Sequence, residues 1–539
     1  MTRLRFRSVG PRRLLVLAVA GALALSACGS SGSDTATGGS SETPATQAVG
    51  ARVLRMAFNA NMQVPDPDIF YEVEGNEVVT SVYEGLVAYK PDSAEIAPAL
   101  ADSWTVSADG MTYTFKLHPG VRFHDGTAEN ASSWQVDFKR RTDVNSAPAY
   151  MLADVASTSA PDPLTFVVKL KNPVSAFLDY LAAPYGPKAV SPAVLTAHAG
   201  TDFAQNWLKE HDAGTGPFTI TKFTTDVGYE LTRVDTYWGT PKPYFEKVEI
   251  SIIPDITQQR LKLESGEIDL MTHGLPIADS ESFRTNPKFD VHDFPVALKT
   301  VLATNPHKGP FKNRELAKAL RTYFDKAAIV KDVYKTQATV STQMYPVSEL
   351  PADSAKDTSV YDTSTLTNLA KSLPASDKTI DFAYSQDEGG TLPRLAEILG
   401  AKLQAAGFTV NVRGIPIAEV FDLPNHPDKA PDLLLWTFNP DAEHPDTWIR
   451  IFMNGDGAIN YLKCSDPQAD ADMDKGLKST AKADVEKYYG EAGDLIAASG
   501  CFITLADNRE IVVARKGLTG FVHQLPTAYT IRLKDLKEG

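Results

Sequence analysis

Cysteine is scarce, with three in 539 residues. That excludes a disulfide-framework miniprotein and a zinc domain built on several cysteines. Basic residues are also in deficit: 53 Lys and Arg face 67 Asp and Glu, a formal charge of −14. The first 27 residues hold five arginines and no acid, so the remainder is more acidic still. Such a body is ill suited to nucleic acid or anionic lipid, which need a basic field. No run of 18 apolar residues occurs, which argues against a membrane-spanning helix in the mature chain. There is no internal repeat, no Gly-x-Ser-x-Gly elbow and no Cys–His pair singled out by spacing. Gly214-Thr215-Gly216-Pro217 is not a phosphate cradle, because Pro217 lacks an amide donor and no Lys-Ser/Thr follows. What is present is 43% hydrophobic residues, enough for a large core and too much for a disordered chain. By length alone about three or four domain-sized units are expected.

The N-terminus carries an address. Arg3, Arg5, Arg7, Arg12 and Arg13 form a basic region ahead of the apolar run Leu14 to Leu25. That run suits a secretory signal and is too short to span a bilayer. It ends Leu25-Ser26-Ala27-Cys28, which looks like a bacterial lipobox. Residues 1–27 are then a lipoprotein signal peptide, and Cys28 is the lipid attachment site. Of residues 29–50, 18 are Gly, Ser, Thr, Ala or Pro. They cannot bury enough surface to offset ordering, so 28–50 reads as a flexible tether. The expected location is extracytoplasmic, lipid-anchored to the cell membrane. In an exported chain the other two cysteines, Cys464 and Cys501, either bridge or stay as two buried thiols; the bridge is expected.

Alternation at Leu54, Met56 and Phe58 predicts a strand, and Trp104 to Leu117 a hairpin turning at Asp109-Gly110. The early region reads as mixed α and β with antiparallel strands. The later region changes. Asn313 caps a helix whose apolar face is expected to run from Leu316 to Tyr334. A strand at Thr379 to Tyr384, a helix with Leu392, Leu395, Leu399 and Leu403 on one stripe, and a strand from Phe408 make a βαβ unit. Asp432 to Thr437 suits a buried strand, Phe502 to Ala514 two short ones, and Val522 to Leu533 a tail.

Five phrases, in order, carry a resemblance. They are VYEGLVAYKPDSAEIAPALADSWTVSADGMTYTFKLHPGVRFHDGT (82–127); GTGPF (214–218) with RVDTYWG (233–239); LESGEIDL (263–270); GPFKNRELAKALRTYFDKAAIVKDVY (309–334); and a Trp-containing strand with an acidic turn, Trp436 to Trp448. Together they resemble family 5 of the extracytoplasmic solute-binding proteins, the peptide, dipeptide and nickel type of ABC importer. The resemblance implies an α/β, two-lobed periplasmic-binding-protein-like fold of type II, cluster C, with mixed sheets and a hinge. Lobe I would span 51–300, with a subdomain inserted at about 88–185. Lobe II would span 301–505, and 506–539 would return to lobe I. The implied function is capture of short peptides for delivery to an ABC permease and its ATPase subunits, by a monomer with no cofactor and no chemistry. The alternatives are the same fold on a nickel chelate, haem, an oligosaccharide or an opine, and, in another class, a cell-surface hydrolase.

In the peptide binders an Asp shortly after the strand tryptophan holds the peptide's amino end. Counting from Trp436 puts Asn439 there; counting back from Pro445 puts Asp441 there. Aromatic rings such as Trp436 and Phe438 can cover an extended ligand, and a buried carboxylate can pair with an ammonium. Asn61, Met62, Tyr185 and His273 are further ligand candidates. Asp441, Glu443, His444 and Asp446 match no tetrahedral metal spacing, so no metal is expected. His118, His124 and Asp125 read as structural.

Overall fold

The computed structural model describes residues 51–386, 391–526, 528 and 530–539. The signal peptide, Cys28 and the tether lie outside them. Two strands organise the fold. Phe289–Thr304 and Phe502–Arg515 pair antiparallel along most of their length, in the middle of a mixed sheet that has eleven strands among the described residues. At one end, Leu270–Met271, Val53–Phe58, Lys247–Ile252, Gly228–Arg233 and Phe218–Thr224 extend the sheet. At the other, Leu433–Phe438, Thr379–Ser385 and Thr409–Ile415 do so, the last two parallel to each other. Residues 51–539 therefore form one compact unit rather than three or four.

The four cores among the described residues fall into two groups, a smaller one around Met271 and Val513 joining the first half of the sheet. One gathers side chains from Leu54 to Leu270 and from Val512 to Leu536. Two others gather Val301 to Ala506, on the two faces of the second half of the sheet. Between the halves the long pair loses register, from Pro295 to Lys299 and again from Thr300 to Val301. Pro295 has no amide to donate, and a bulge bends the strand that carries it. Lys299 and Asp507 form a buried ion pair at this junction. The bend interrupts alternation, so the single 14-residue strand Phe502–Arg515 replaces the two short strands expected there.

The helix expected through Tyr334 stops early. Arg314–Tyr323 is helical, Phe324 is extended, and Asp325 caps a new turn by accepting from Ala328 N at 3.0 Å. The apolar stripe continues, but an aspartate able to cap restarts the helix. The βαβ unit closes as its pattern dictates. Leu392, Leu395, Leu399 and Leu403 of Thr391–Ala405 are buried, and Gly407 takes φ +104° just past the helix end.

A four-stranded antiparallel sheet, Ala101–Val106, Thr112–Leu117, Thr165–Leu170 and Val155–Asp162, stands apart from the large one. Helix Ala131–Val144 packs on it through Trp134 and Phe138 against Phe166. The same helix turns Arg140 and Arg141 onto buried Asp66 and Asp68. Those pairs fasten the irregular segment from Asn59 to Glu74. The glycines of GTGPF serve packing: a Cβ on Gly214 would lie 2.0 Å from the Val82 carbonyl oxygen, and one on Gly216 2.4 Å from that of Ser81.

Cys464 and Cys501 are joined by a disulfide, with Cα atoms 5.5 Å apart and a sequence separation of 37. A loop of that length restricts the unfolded chain by roughly 3–4 kcal/mol in the chain-entropy account. The Cys464→Ser/Cys501→Ser double variant should lose about that much in urea unfolding. A loss under about 1 kcal/mol would show that the loop is already constrained without the bond.

Candidate functional site

The acidic turn after strand Leu433–Phe438 crosses from one set of cores to the other. Ala442 is fully buried, and it packs in the core built from residues 54–270. Four tyrosines of that first lobe fasten onto the turn. Tyr71 and Tyr150 each donate to Asp441 Oδ2 at 2.6 Å. Tyr180 donates to Asp446 Oδ2 at 2.9 Å, and the Glu443 amide donates to Tyr89 Oη at 3.0 Å. On the other side Asp446 is held by Arg450 Nε at 2.7 Å and Tyr489 Oη at 2.5 Å. The turn is thus a clasp, held from both groups of cores.

Asp441 is buried, and both tyrosines converge on its Oδ2. Burial pushes its carboxyl up to about 6, and the hydrogen bonds from Tyr150 and Tyr71 hold it from rising further. Glu443 is pushed up to about 8, first by burial and then by the charge of Asp179. Asp179, which accepts from Tyr89 Oη at 3.1 Å, is raised to about 7 by burial. Burial lowers His444 to about 4, so it stays neutral and accepts from the Asp446 amide at 3.1 Å. Among the described residues no group of three His, Cys, Asp or Glu is placed to hold a metal ion.

Trp436 lies beneath the clasp. It stacks on Phe438 at 5.2 Å and meets Tyr461 edge-on, and Phe438 stacks on Trp448 at 4.4 Å. Asn439 turns to other partners: its Nδ2 donates to the carbonyls of Pro440 and Pro526. Both residues that the two ways of counting offer reach the first lobe, Asn439 through the Pro526 carbonyl and Asp441 through Tyr71 and Tyr150. Tyr185 supports the clasp from behind, edge-on to Tyr71 at 5.1 Å. Met62 is buried against Gly75, whose φ of +92° needs glycine and whose Cβ would fall 2.5 Å from that of Met62. Asn61 is tied to Asp226 by two hydrogen bonds, which fastens its loop to the turn before Gly228–Arg233. His273, buried and pushed down to about 4 by burial, bonds Asn59 and Thr272. Sequence reasoning did not find Tyr71, Tyr89, Tyr150, Tyr180, Asp179 or Glu349; they sit in short or irregular elements far along the chain from the turn.

Cavities of about 500 Å³ beside His307, Lys308 and Tyr461, and about 570 Å³ beside Arg52, Arg233 and Lys534, include none of the clasp residues. His118 and His124 bond Asp102 and Asp212, and Asp125 bonds Thr127 and Ser191, within the first lobe.

The model of bacterial extracellular solute-binding proteins, family 5, matches residues 95–460. The chain belongs to this family. Among its relatives is the glutathione-binding protein GsiB of Pectobacterium atrosepticum, 27% identical over 86% of this chain and 90% of that one. Among solved structures, the periplasmic binding protein DppA of Helicobacter pylori, in complex with peptide STSA, superposes with a TM-score of 0.78. It is 22% identical and covers 90% of this chain and 98% of its own. NikZ of Campylobacter jejuni, in complex with Ni(L-His), also gives 0.78, at 20% identity over 90% of this chain and 99% of its own. The fold is thus the two-lobed one of periplasmic binding proteins. A family 5 chain is a solute-binding protein of the ABC-transporter type, not an enzyme. Among the described residues no helix is long and apolar enough to cross a membrane.

Proposed function

We propose that the chain is the substrate-binding lipoprotein of an ABC importer, which captures short peptides outside the cytoplasm and delivers them to the permease. One observation carries this reading: a buried aspartate, Asp441, clasped through one oxygen by two tyrosines of the opposite lobe. A carboxylate so placed suits a ligand ammonium. The relatives named for glutathione and for peptide STSA agree with it. In this reading lobe I is 51–300 with 506–539 and carries the subdomain at about 88–185, and lobe II is 301–505. The bulged crossing near Pro295 to Val301 is the hinge. A ligand that touches both lobes shifts the population to the closed form. Asp441 is then the ammonium acceptor, Trp436 and Phe438 the floor behind it, and Tyr185 a support. The protein acts as a monomer on a lipid anchor. Native mass spectrometry of chain purified from its own host tests the reading. A retained mass that fragments into amino acids supports it; a retained nickel isotope pattern or haem contradicts it.

The anchor has its own test. Cys28→Ala should move the protein from the membrane fraction to the unprocessed or released pool. Unchanged fractionation, with unchanged sensitivity to a lipoprotein signal-peptidase inhibitor, would contradict lipidation at Cys28.

A further inference from the structure

Two carboxyl groups near the clasp are buried without hydrogen-bond partners among the described residues. Glu443 lies two residues beyond Asp441, and Glu349 comes from the loop after strand Ala338–Val340. Both are more than nine-tenths buried, and all four of their oxygens lack a hydrogen-bond partner among the described residues. Glu443 and Asp179 meet at Tyr89, whose Oη accepts from the Glu443 amide at 3.0 Å and donates to Asp179 Oδ1 at 3.1 Å, and Glu349 feels the charge of both carboxyls. Asp179 lies in helix Phe177–Ala182, which packs in the first core through Phe177 and Tyr180, and Glu349 precedes Leu350 of a core in the second half, so the carboxyls come from both sides of the turn. Lys299 is near enough to act on Glu349 but is committed to Asp507. Buried polar groups are otherwise nearly always satisfied, and leaving one bare is costly. Four bare acceptors in one place call for a partner rich in donors.

The geometry points to a second cation subsite, formed by Glu349, Glu443 and Asp179, that takes a guanidinium or ammonium borne by the ligand in addition to the one at Asp441. The preferred solute is then dicationic, such as a short peptide with a basic side chain. A guanidinium presents five N–H donors in a plane and can bridge two carboxylates. In the peptide form this rests on the proposed function; the subsite itself requires only a ligand with two positive groups.

The test uses the full chain and four probes, Arg-Ala, Lys-Ala, Ala-Ala and agmatine, titrated by calorimetry at pH 7.5. Arg-Ala and Lys-Ala should bind at least tenfold more tightly than Ala-Ala. In Glu443→Gln and Glu349→Gln that ratio should fall below about threefold. Equal affinity for the three dipeptides overturns the second subsite and leaves peptide capture standing. A basic preference that survives in both variants also overturns it. If agmatine binds, weakens in Glu443→Gln, and no dipeptide binds, the subsite stands and the peptide reading fails. Binding of none of the four overturns both. The wild-type ratio needs no variant, so a substitution that fails to fold does not shelter the proposal.

Discussion

Asp441→Asn should lower the affinity for a peptide ligand by roughly 2–5 kcal/mol, the cost of leaving a buried ammonium without its carboxylate. The fold should not suffer. An Asn side-chain oxygen still accepts from Tyr71 and Tyr150, which now converge on one oxygen of Asp441. The carboxyl is raised to about 6, above its usual value, so the empty native state holds the proton more tightly than the unfolded chain. Stability is therefore lost as pH rises from the ordinary carboxylate range to about 6 and stays lost above it, so the Asn variant should melt no lower at pH 7.5. The same shift gives binding a pH profile. A cation needs the ionised form, so affinity should fall toward tenfold per pH unit below about 6. That slope should vanish in Asp441→Asn. Calorimetry between pH 5 and 8 checks both, and an unchanged affinity in the variant would remove the ammonium clamp.

Arg140→Met should destabilise the protein by roughly 3–5 kcal/mol, the range for breaking a buried ion pair from one side. Arg140 bonds both oxygens of Asp66 and one of Asp68, and all three residues are buried. Methionine fills much of the volume and leaves two carboxylates with less compensation. The effect reaches the clasp, because Tyr71 follows on the segment these aspartates hold. Urea unfolding should show the loss of stability, and peptide affinity should fall with it. A loss under about 1 kcal/mol would mean the segment is held by other contacts.

Local pattern carried part of this structure. The leucine stripe of Thr391–Ala405 and the alternation on either side are contacts between near neighbours, so periodicity reveals them. The hairpin at Asp109-Gly110 is of the same kind. The long strands were legible only in pieces, since Pro295 and the register shifts break their alternation. The clasp was half legible. Asp441 could be proposed from the Trp-to-Pro spacing, while Asn439 competed with it. Its partners could not be, because Tyr71 lies 370 residues away and Tyr150 291, in segments with no repeating pattern. That Glu443 and Glu349 lack partners among the described residues is invisible in sequence for a related reason: it depends on which segments the fold brings together.

The central claim is that a free ligand ammonium is held at the clasp between the lobes. One comparison tests it most directly: the affinity of the wild-type chain for a short peptide, Lys-Ala-Ala, and for the same peptide acetylated at its amino terminus. Acetylation removes the charge and leaves the side chains and the carboxylate intact. The account predicts that the free peptide binds and that acetylation weakens it at least thirtyfold, the lower end of the expected loss at Asp441. Equal affinity for the two forms would contradict it.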